Sequence, residues 1–211
     1  MSSELTQTLL RAIEEADSAV KLANAVRELA EAELVEAVPH LVKALGYNNP
    51  GAAVAAVDGL IKLGDDAVDP LLELLDGYNY GARAWALRAL SGIGHPRALS
   101  LLLDTAQNDF ALSVRRAAAR GLGTLKWYKM EPEAIPAAQL EALKVLITVC
   151  NDPEWVVRYA GVTGLESLGS NLKHPEQQQQ THQAIAHIAE NDAEIAVQAR
   201  AKLAIVRLTR A

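Results

Sequence analysis

The chain is poor in the residues that most often advertise chemistry. Its single cysteine, Cys150, makes an intramolecular disulfide impossible and has no spacing partner for a zinc site. One Phe, five Tyr and three Trp hold the aromatic content to 4% of 211 residues, so a cluster of rings anywhere is informative. Positive charge is also short. A formal net charge of −6 disfavours a nucleic-acid groove, which needs clustered positive potential to displace counterions. No uninterrupted apolar stretch is long enough to span a bilayer, and Met1-Ser2-Ser3-Glu4 opens without a basic run followed by an apolar core. The expectation is a cytoplasmic protein without signal peptide or membrane insertion. HExxH, CxxC, Walker and Gly-rich dinucleotide patterns are missing. His182 and His187 stand five apart, a poor spacing for one metal on a helix, so no metal site is expected.

What the chain does have is Ala, Leu and a repeat. It is 50% hydrophobic, and its commonest residues are both strong helix formers and core formers. Five segments share a template in which an Arg, or a stand-in, is followed at plus seven and plus ten by large aliphatics. They begin at Ala53 (Leu60, Leu63), Arg83 (Leu90, Ile93), Arg115 (Leu122, Leu125), Arg158 (Leu165, Leu168) and Gln198 (Ile205, Leu208). Gly64, Gly94 and Gly169 close three of them. Anchors recurring roughly every 30 to 43 residues indicate stacked helical pairs, since one pair cannot bury its apolar stripe alone. The expected fold is therefore all-α: an α-solenoid of HEAT-like repeats, about six helix pairs in a single domain over residues 1–211, with inner helices forming a concave binding wall.

The outer helices are expected over 4–16, 34–45, 68–75, 99–107 and 140–149, with a last one around the Gln177 to Gln180 run. The inner helices fall over 19–30, 52–63, 82–93, 113–126, 154–168 and 193–209. Asp17-Ser18 supplies a turn and a cap, and Gly46 to Gly51 is a strong stop. Tyr128 to Pro136 reads as an insertion that lengthens one repeat, and the Gln run as a polar helix face. Cys150, inside a helical run, reads as a small buried apolar filler.

Asp109, Asp152 and Asp192 each precede the template Arg, or Gln198, by six residues. An Asp in the inter-helix turn can cap the next helix while reaching the Arg of a neighbouring repeat, which makes a ladder along the array and assigns Arg115 and Arg158 to structure. The second repeat departs from this spacing, with seven residues from Asp76 to Arg83 and Tyr78-Asn79-Tyr80 in the extra length. An irregularity in a regular array has no packing reason to exist, so it is a site candidate. Tyr78, Tyr80 and Trp85 crowd together there with Arg83 and Arg88, and a second group joins Trp127-Tyr128 to Arg115, Arg116 and Arg120. Flat rings suit flat conjugated ligands and guanidiniums pair with carboxylates. Inter-repeat core is the competing reading for Trp85 and Trp127.

The block from Gly77 to Gly94, Tyr-Asn-Tyr-Gly-Ala-Arg-Ala-Trp at its head, followed by Pro96-Arg97-Ala98-Leu99 and by Val114 to Gly123, resembles the HEAT-like repeats of the phycobilin lyases. More narrowly, it is similar to the smaller, beta-type (CpcF-type) subunits of the heterodimeric lyase family of cyanobacteria, and the resemblance spans essentially the whole chain. It implies attachment of phycocyanobilin, as substrate, through a thioether to a cysteine of the phycocyanin alpha subunit. It also implies a larger CpcE-type partner subunit, with no prosthetic group. Relatives that isomerise the bilin carry a His-Cys pair, which Cys150 lacks. On that resemblance the candidate catalytic residues are Asp76, toward the pyrrole nitrogens, with Tyr78 and Tyr80. The candidate bilin-binding residues are Asn79, Arg83, Trp85, Arg88, Trp127 and Tyr128, with Arg83 and Arg88 toward the propionates. The other reading left open by the residues is a non-catalytic helical-repeat adaptor that binds a protein segment on its concave face.

Overall fold

The computed structural model describes residues 2–76 and 80–210. They contain twelve α-helices and no strand. In chain order these are α1 (Ser2–Glu14), α2 (Ala19–Glu31), α3 (Val38–Ala44), α4 (Pro50–Leu63), α5 (Val68–Asp76), α6 (Tyr80–Ile93), α7 (Leu99–Asn108), α8 (Leu112–Gly123), α9 (Ile135–Val149), α10 (Trp155–Gly169), α11 (Pro175–Asn191) and α12 (Ile195–Arg210). They form the six expected pairs. The chain divides into two compact units, Met1–Ile93 with α1 to α6 and Gly94–Ala211 with α7 to α12.

Within each unit the second helices of the pairs pack side by side as one layer, α2 on α4 on α6 and α8 on α10 on α12. The template explains the core: Leu60, Leu90, Leu122, Leu165 and Leu168 are fully buried, and Ile93 and Leu125 nearly so. Burying each such side chain stabilises the fold by roughly 1.5–3 kcal/mol before entropy is counted. Ile205 and Leu208 on α12 are only half-buried.

Caps act where the turns are read in the sequence. Ser18 accepts from the N–H of Lys21 at the start of α2. Asn49 caps α4 by accepting from Ala52 and donates to the Ala19 carbonyl (2.8 Å), which joins the starts of α4 and α2. Gly64 and Gly94 close their helices with φ of 63° and 69°, a left-handed turn that a side chain would strain.

Several boundaries move for local reasons. The expected 34–45 helix begins with a 3-10 turn, Val35–Ala37, and becomes α-helical at Val38, with Pro39 in the first turn where its missing N–H costs nothing. Helix α8 stops at Gly123 rather than residue 126, because the Lys126 N–H leaves the helical ladder to donate to the Gly94 carbonyl (2.7 Å). The insertion expected over Tyr128 to Pro136 is shorter: Trp127–Lys129 is a 3-10 turn, and α9 starts at Ile135 with Pro136 in its first turn. Gln178 to Gln180 do lie on an exposed helix face. Gln177 does not. It is buried in α11 and donates to the Pro136 carbonyl.

Candidate functional site

The Asp–Arg ladder orders the second unit. Arg115 on α8 donates through Nε and Nη2 to the carboxylate of Asp152 (2.7 and 3.1 Å), in the turn before α10. Arg158 on α10 repeats the contact with Asp192 (2.8 and 2.9 Å), before α12. Both guanidiniums also reach back to their own turns, Arg115 to the carbonyls of Asp109 and Phe110 and Arg158 to those of Asp152 and Pro153. Gln198 closes the series on the Asp192 carbonyl. The structural assignment of Arg115 and Arg158 therefore holds. The capping detail does not: each Asp lies two residues further out and accepts from the N–H of the residue just before the helix, Ala111, Glu154 or Glu194. These bidentate pairs hold Arg115 and Arg158 above their ordinary pKa and Asp192 below the usual carboxylate range. For all three the hydrogen bond is the largest cause, and burial opposes it.

With α8 and α10 in register, their backbones approach closely. A Cβ on Gly123 would lie 2.6 Å from the Gly164 carbonyl, and one on Gly164 would lie 2.5 Å from the carbonyl of Ala119. This contact sets the spacing of a hollow of about 400 Å³ lined by Arg116, Arg120, Trp155, Tyr159 and Ala196. Arg116 and Arg120 stand one turn apart on α8, exposed, and neither guanidinium has an ion-pair partner among the described residues. Such a like-charged pair weakens a helix by a few tenths of a kcal/mol, so it favours an arriving anion. Trp155 and Tyr159 stand one turn apart on α10. Tyr159 is backed by Arg200, whose guanidinium lies 6.0 Å from the ring centroid. Arg200 is itself fixed by Thr163 (3.1 Å) and Glu166 (2.5 Å). Two free cations facing two rings suit a flat conjugated ligand carrying carboxylates.

The residues singled out in the sequence fall elsewhere. Tyr78 and Asn79 lie outside the described residues, as do the side chains of Asp76 and Tyr80. Arg83 is half-buried and donates to the Leu75 carbonyl (3.2 Å), repeating the reach-back of the later template arginines. Trp85 and Arg88 do come together on α6, with the guanidinium 5.7 Å from the ring centroid. In the second unit, Trp127 and Tyr128 line a different hollow, of about 750 Å³, whose basic residues are Lys126, Lys173 and His174 rather than arginines. Trp127 is buried and Tyr128 is 77% exposed. Arg115, Arg116 and Arg120 are thus separated from them: the first is in the ladder and the other two are in the α8–α10 hollow. Trp155 and Tyr159 were not singled out in the sequence, although their one-turn spacing beside the template Arg158 was there to be read.

Cys150 is buried with its thiol pushed up to about 12, chiefly by burial and then by the charge of Asp192. That burial is what its place in a helical run leads one to expect. No described helix is long and apolar enough to cross a membrane.

This architecture, paired helices with an inter-repeat Asp–Arg ladder, defines a helical-repeat protein, and the family model for HEAT repeats matches residues 53–123 and 68–139. The phycocyanin alpha phycocyanobilin lyase CpcF of Synechocystis sp. is 58% identical over 168 residues, 80% of this chain and 78% of that protein. A phycobilisome maturation protein of Synechococcus elongatus is 49% identical over 97% of this chain and 98% of its own length. Among solved structures, the complex of CpcE and CpcF of phycocyanin lyase from Nostoc sp. contains a chain that matches with TM-score 0.76 and 47% identity, over 81% of this chain and 99% of that one. The chain belongs to the beta-subunit, CpcF-type family of phycocyanobilin lyases.

Proposed function

We propose that this chain is the smaller subunit of a heterodimeric lyase. With a larger CpcE-type subunit, it attaches phycocyanobilin through a thioether to a cysteine of the phycocyanin alpha subunit, in the cytoplasm. One observation ties that chemistry to this chain: two uncompensated guanidiniums, Arg116 and Arg120, face two rings, Trp155 and Tyr159, across one hollow. Phycocyanobilin is a conjugated linear tetrapyrrole with two propionates. Its carboxylates fit the arginine pair and its ring faces fit the aromatic pair.

In the transfer, the acceptor thiolate forms a carbon–sulfur bond to the ethylidene carbon of ring A. The exocyclic double bond opens and a proton is added to the tetrapyrrole framework. Sulfur and proton both come from outside the bilin and nothing is oxidised or reduced, so no redox partner or prosthetic group of the chain is needed. The nucleophile belongs to the acceptor, in keeping with a Cys150 that is buried and un-ionised. The chain's work is to hold an extended bilin in one conformation and to present its ring A face. We place the bilin on the α8–α10 wall, where a guanidinium pair can fork onto the propionates, in preference to the Trp127–Tyr128 hollow, whose cations are Lys126 and Lys173. The first-unit group is the alternative location for the bilin, in place of the α8–α10 wall: Asp76 would meet the pyrrole nitrogens with Tyr78 and Tyr80 against the rings, and Asn79, Arg83, Trp85 and Arg88 would complete the contact, a reading supported by the Trp85–Arg88 pair.

Spectral titration of the purified heterodimer with phycocyanobilin tests the site. Arg116→Ala/Arg120→Ala should lower bilin affinity at least tenfold with an unchanged melting temperature. Wild-type affinity in that variant would remove the bilin from this wall.

A further inference from the structure

Of the seven large apolar side chains exposed on the second unit, four stand at or just before helix starts, and three of these repeat one position. Counting from each ladder Asp, the third residue is Leu112, then Trp155, then Ile195, at the starts of α8, α10 and α12; they are 41%, 44% and 77% exposed. Phe110, two residues before Leu112, is 77% exposed. Neighbouring helices pack about 8–10 Å apart, so equivalent residues on α8, α10 and α12, which contact in that order, make a continuous row. Solvated turns have no packing reason to carry Leu, Trp and Ile at one register. The row also borders the hollow, since Trp155 belongs to both and Ile195 precedes the lining residue Ala196.

We infer that Phe110, Leu112, Trp155 and Ile195 form the docking edge for the larger subunit of the heterodimer. The inference rests on the lyase reading above. The four side chains expose about 450 Å² of apolar surface, more than half of the ~800 Å² that each partner of a stable complex covers. A permanent subunit interface has an apolar core of this kind. The acceptor protein must leave after every transfer, and a surface it visits transiently would be more polar. Exposed Glu154 and half-exposed Glu194 directly precede Trp155 and Ile195, so the complementary patch on the larger subunit is apolar with basic groups along one margin. Docking there would also cover the mouth of the hollow and shield the bilin from water.

The test uses the full chain and the purified larger subunit as probe, with dissociation constants from calorimetry and folding checked by circular dichroism. Phe110→Ser/Leu112→Ser/Ile195→Ser leaves the hollow-lining Trp155 in place and should weaken the dimer about 100-fold. Phe110→Leu/Ile195→Val keeps the row apolar and should stay within threefold of wild type. Should the triple variant misfold, Ile195→Ser, at a mostly exposed position, still reads the edge through about a tenfold loss. Binding within threefold of wild type by the folded serine variants overturns the inference. So does normal dimerisation with lost transfer to the phycocyanin alpha subunit, which would assign the row to the acceptor. A wild-type chain that binds no larger subunit refutes the lyase reading itself, and this occupant with it.

Discussion

Arg158→Ala tests the ladder directly. The substitution removes both hydrogen bonds to Asp192 and the reach-back bonds to the Asp152 and Pro153 carbonyls (3.0 and 3.2 Å). Asp192, its side chain 6% exposed, keeps only the Glu194 N–H at 2.8 Å. Stranding a fully buried charge costs about 3–5 kcal/mol. Here a hollow of about 330 Å³ runs beside Asp192 and admits water, so we expect about 2–3 kcal/mol. In a chain of this length that corresponds to a fall in Tm of roughly 5–10 °C. The double variant Arg158→Ala/Asp192→Ala strands no carboxylate, so it should lose less than the sum of the two single variants. The sign of the pH dependence follows from Asp192, whose folded pKa is depressed chiefly by Arg158. Its contribution is present above the unfolded carboxylate value of about 4 and fades as pH falls through the folded value. The stability gap between wild type and Arg158→Ala, measured by urea unfolding, should therefore be constant from pH 7 to 5 and narrow below about pH 4. A gap under about 0.5 kcal/mol at pH 7 would refute the ladder as a stabilising device. A gap that does not narrow in acid would show that the Asp192 carboxylate has no part in it.

Other outcomes follow from the same packing. Gly164→Ala forces a Cβ to 2.5 Å from the Ala119 carbonyl and 2.6 Å from Leu146 Cδ2, so thermal unfolding should show a loss of about 2–4 kcal/mol as α8 and α10 are pushed apart. Native Cys150 should resist thiol reagents at pH 8 and react once urea unfolds the second unit; rapid native labelling would contradict a buried thiol pushed up to about 12. Arg116→Lys/Arg120→Lys keeps the charge and loses the planar fork, so its bilin affinity should fall between wild type and the double alanine variant.

The repeat was legible because period is a property of the chain alone. Leu60, Leu90 and Leu122 had to recur where each helix meets its neighbours, and they are the buried residues. The ladder was legible for the same reason, as Asp152 and Arg158 mark fixed places in a repeated turn. Helix ends were less so. That α8 stops at Gly123 depends on a carbonyl at Gly94, about 30 residues back along the chain, which no local pattern encodes. The candidate site was legible only in part. Arg116 and Arg120 drew notice beside Trp127, since adjacency in sequence was the available guide. In the fold, the rings they face are Trp155 and Tyr159 on the next second helix. Meeting across neighbouring repeats is a product of stacking, and a linear window cannot display it.

Reconstituted transfer decides whether this chain is a working half of the lyase. This chain, the larger subunit, phycocyanobilin and the phycocyanin alpha apoprotein are incubated together and with each component omitted, and covalently held bilin is read by zinc-induced fluorescence after denaturation. Chromophore is expected on the alpha subunit only when both lyase subunits are present, with a strong loss for Arg116→Ala/Arg120→Ala. Undiminished attachment without this chain would contradict its place in the lyase.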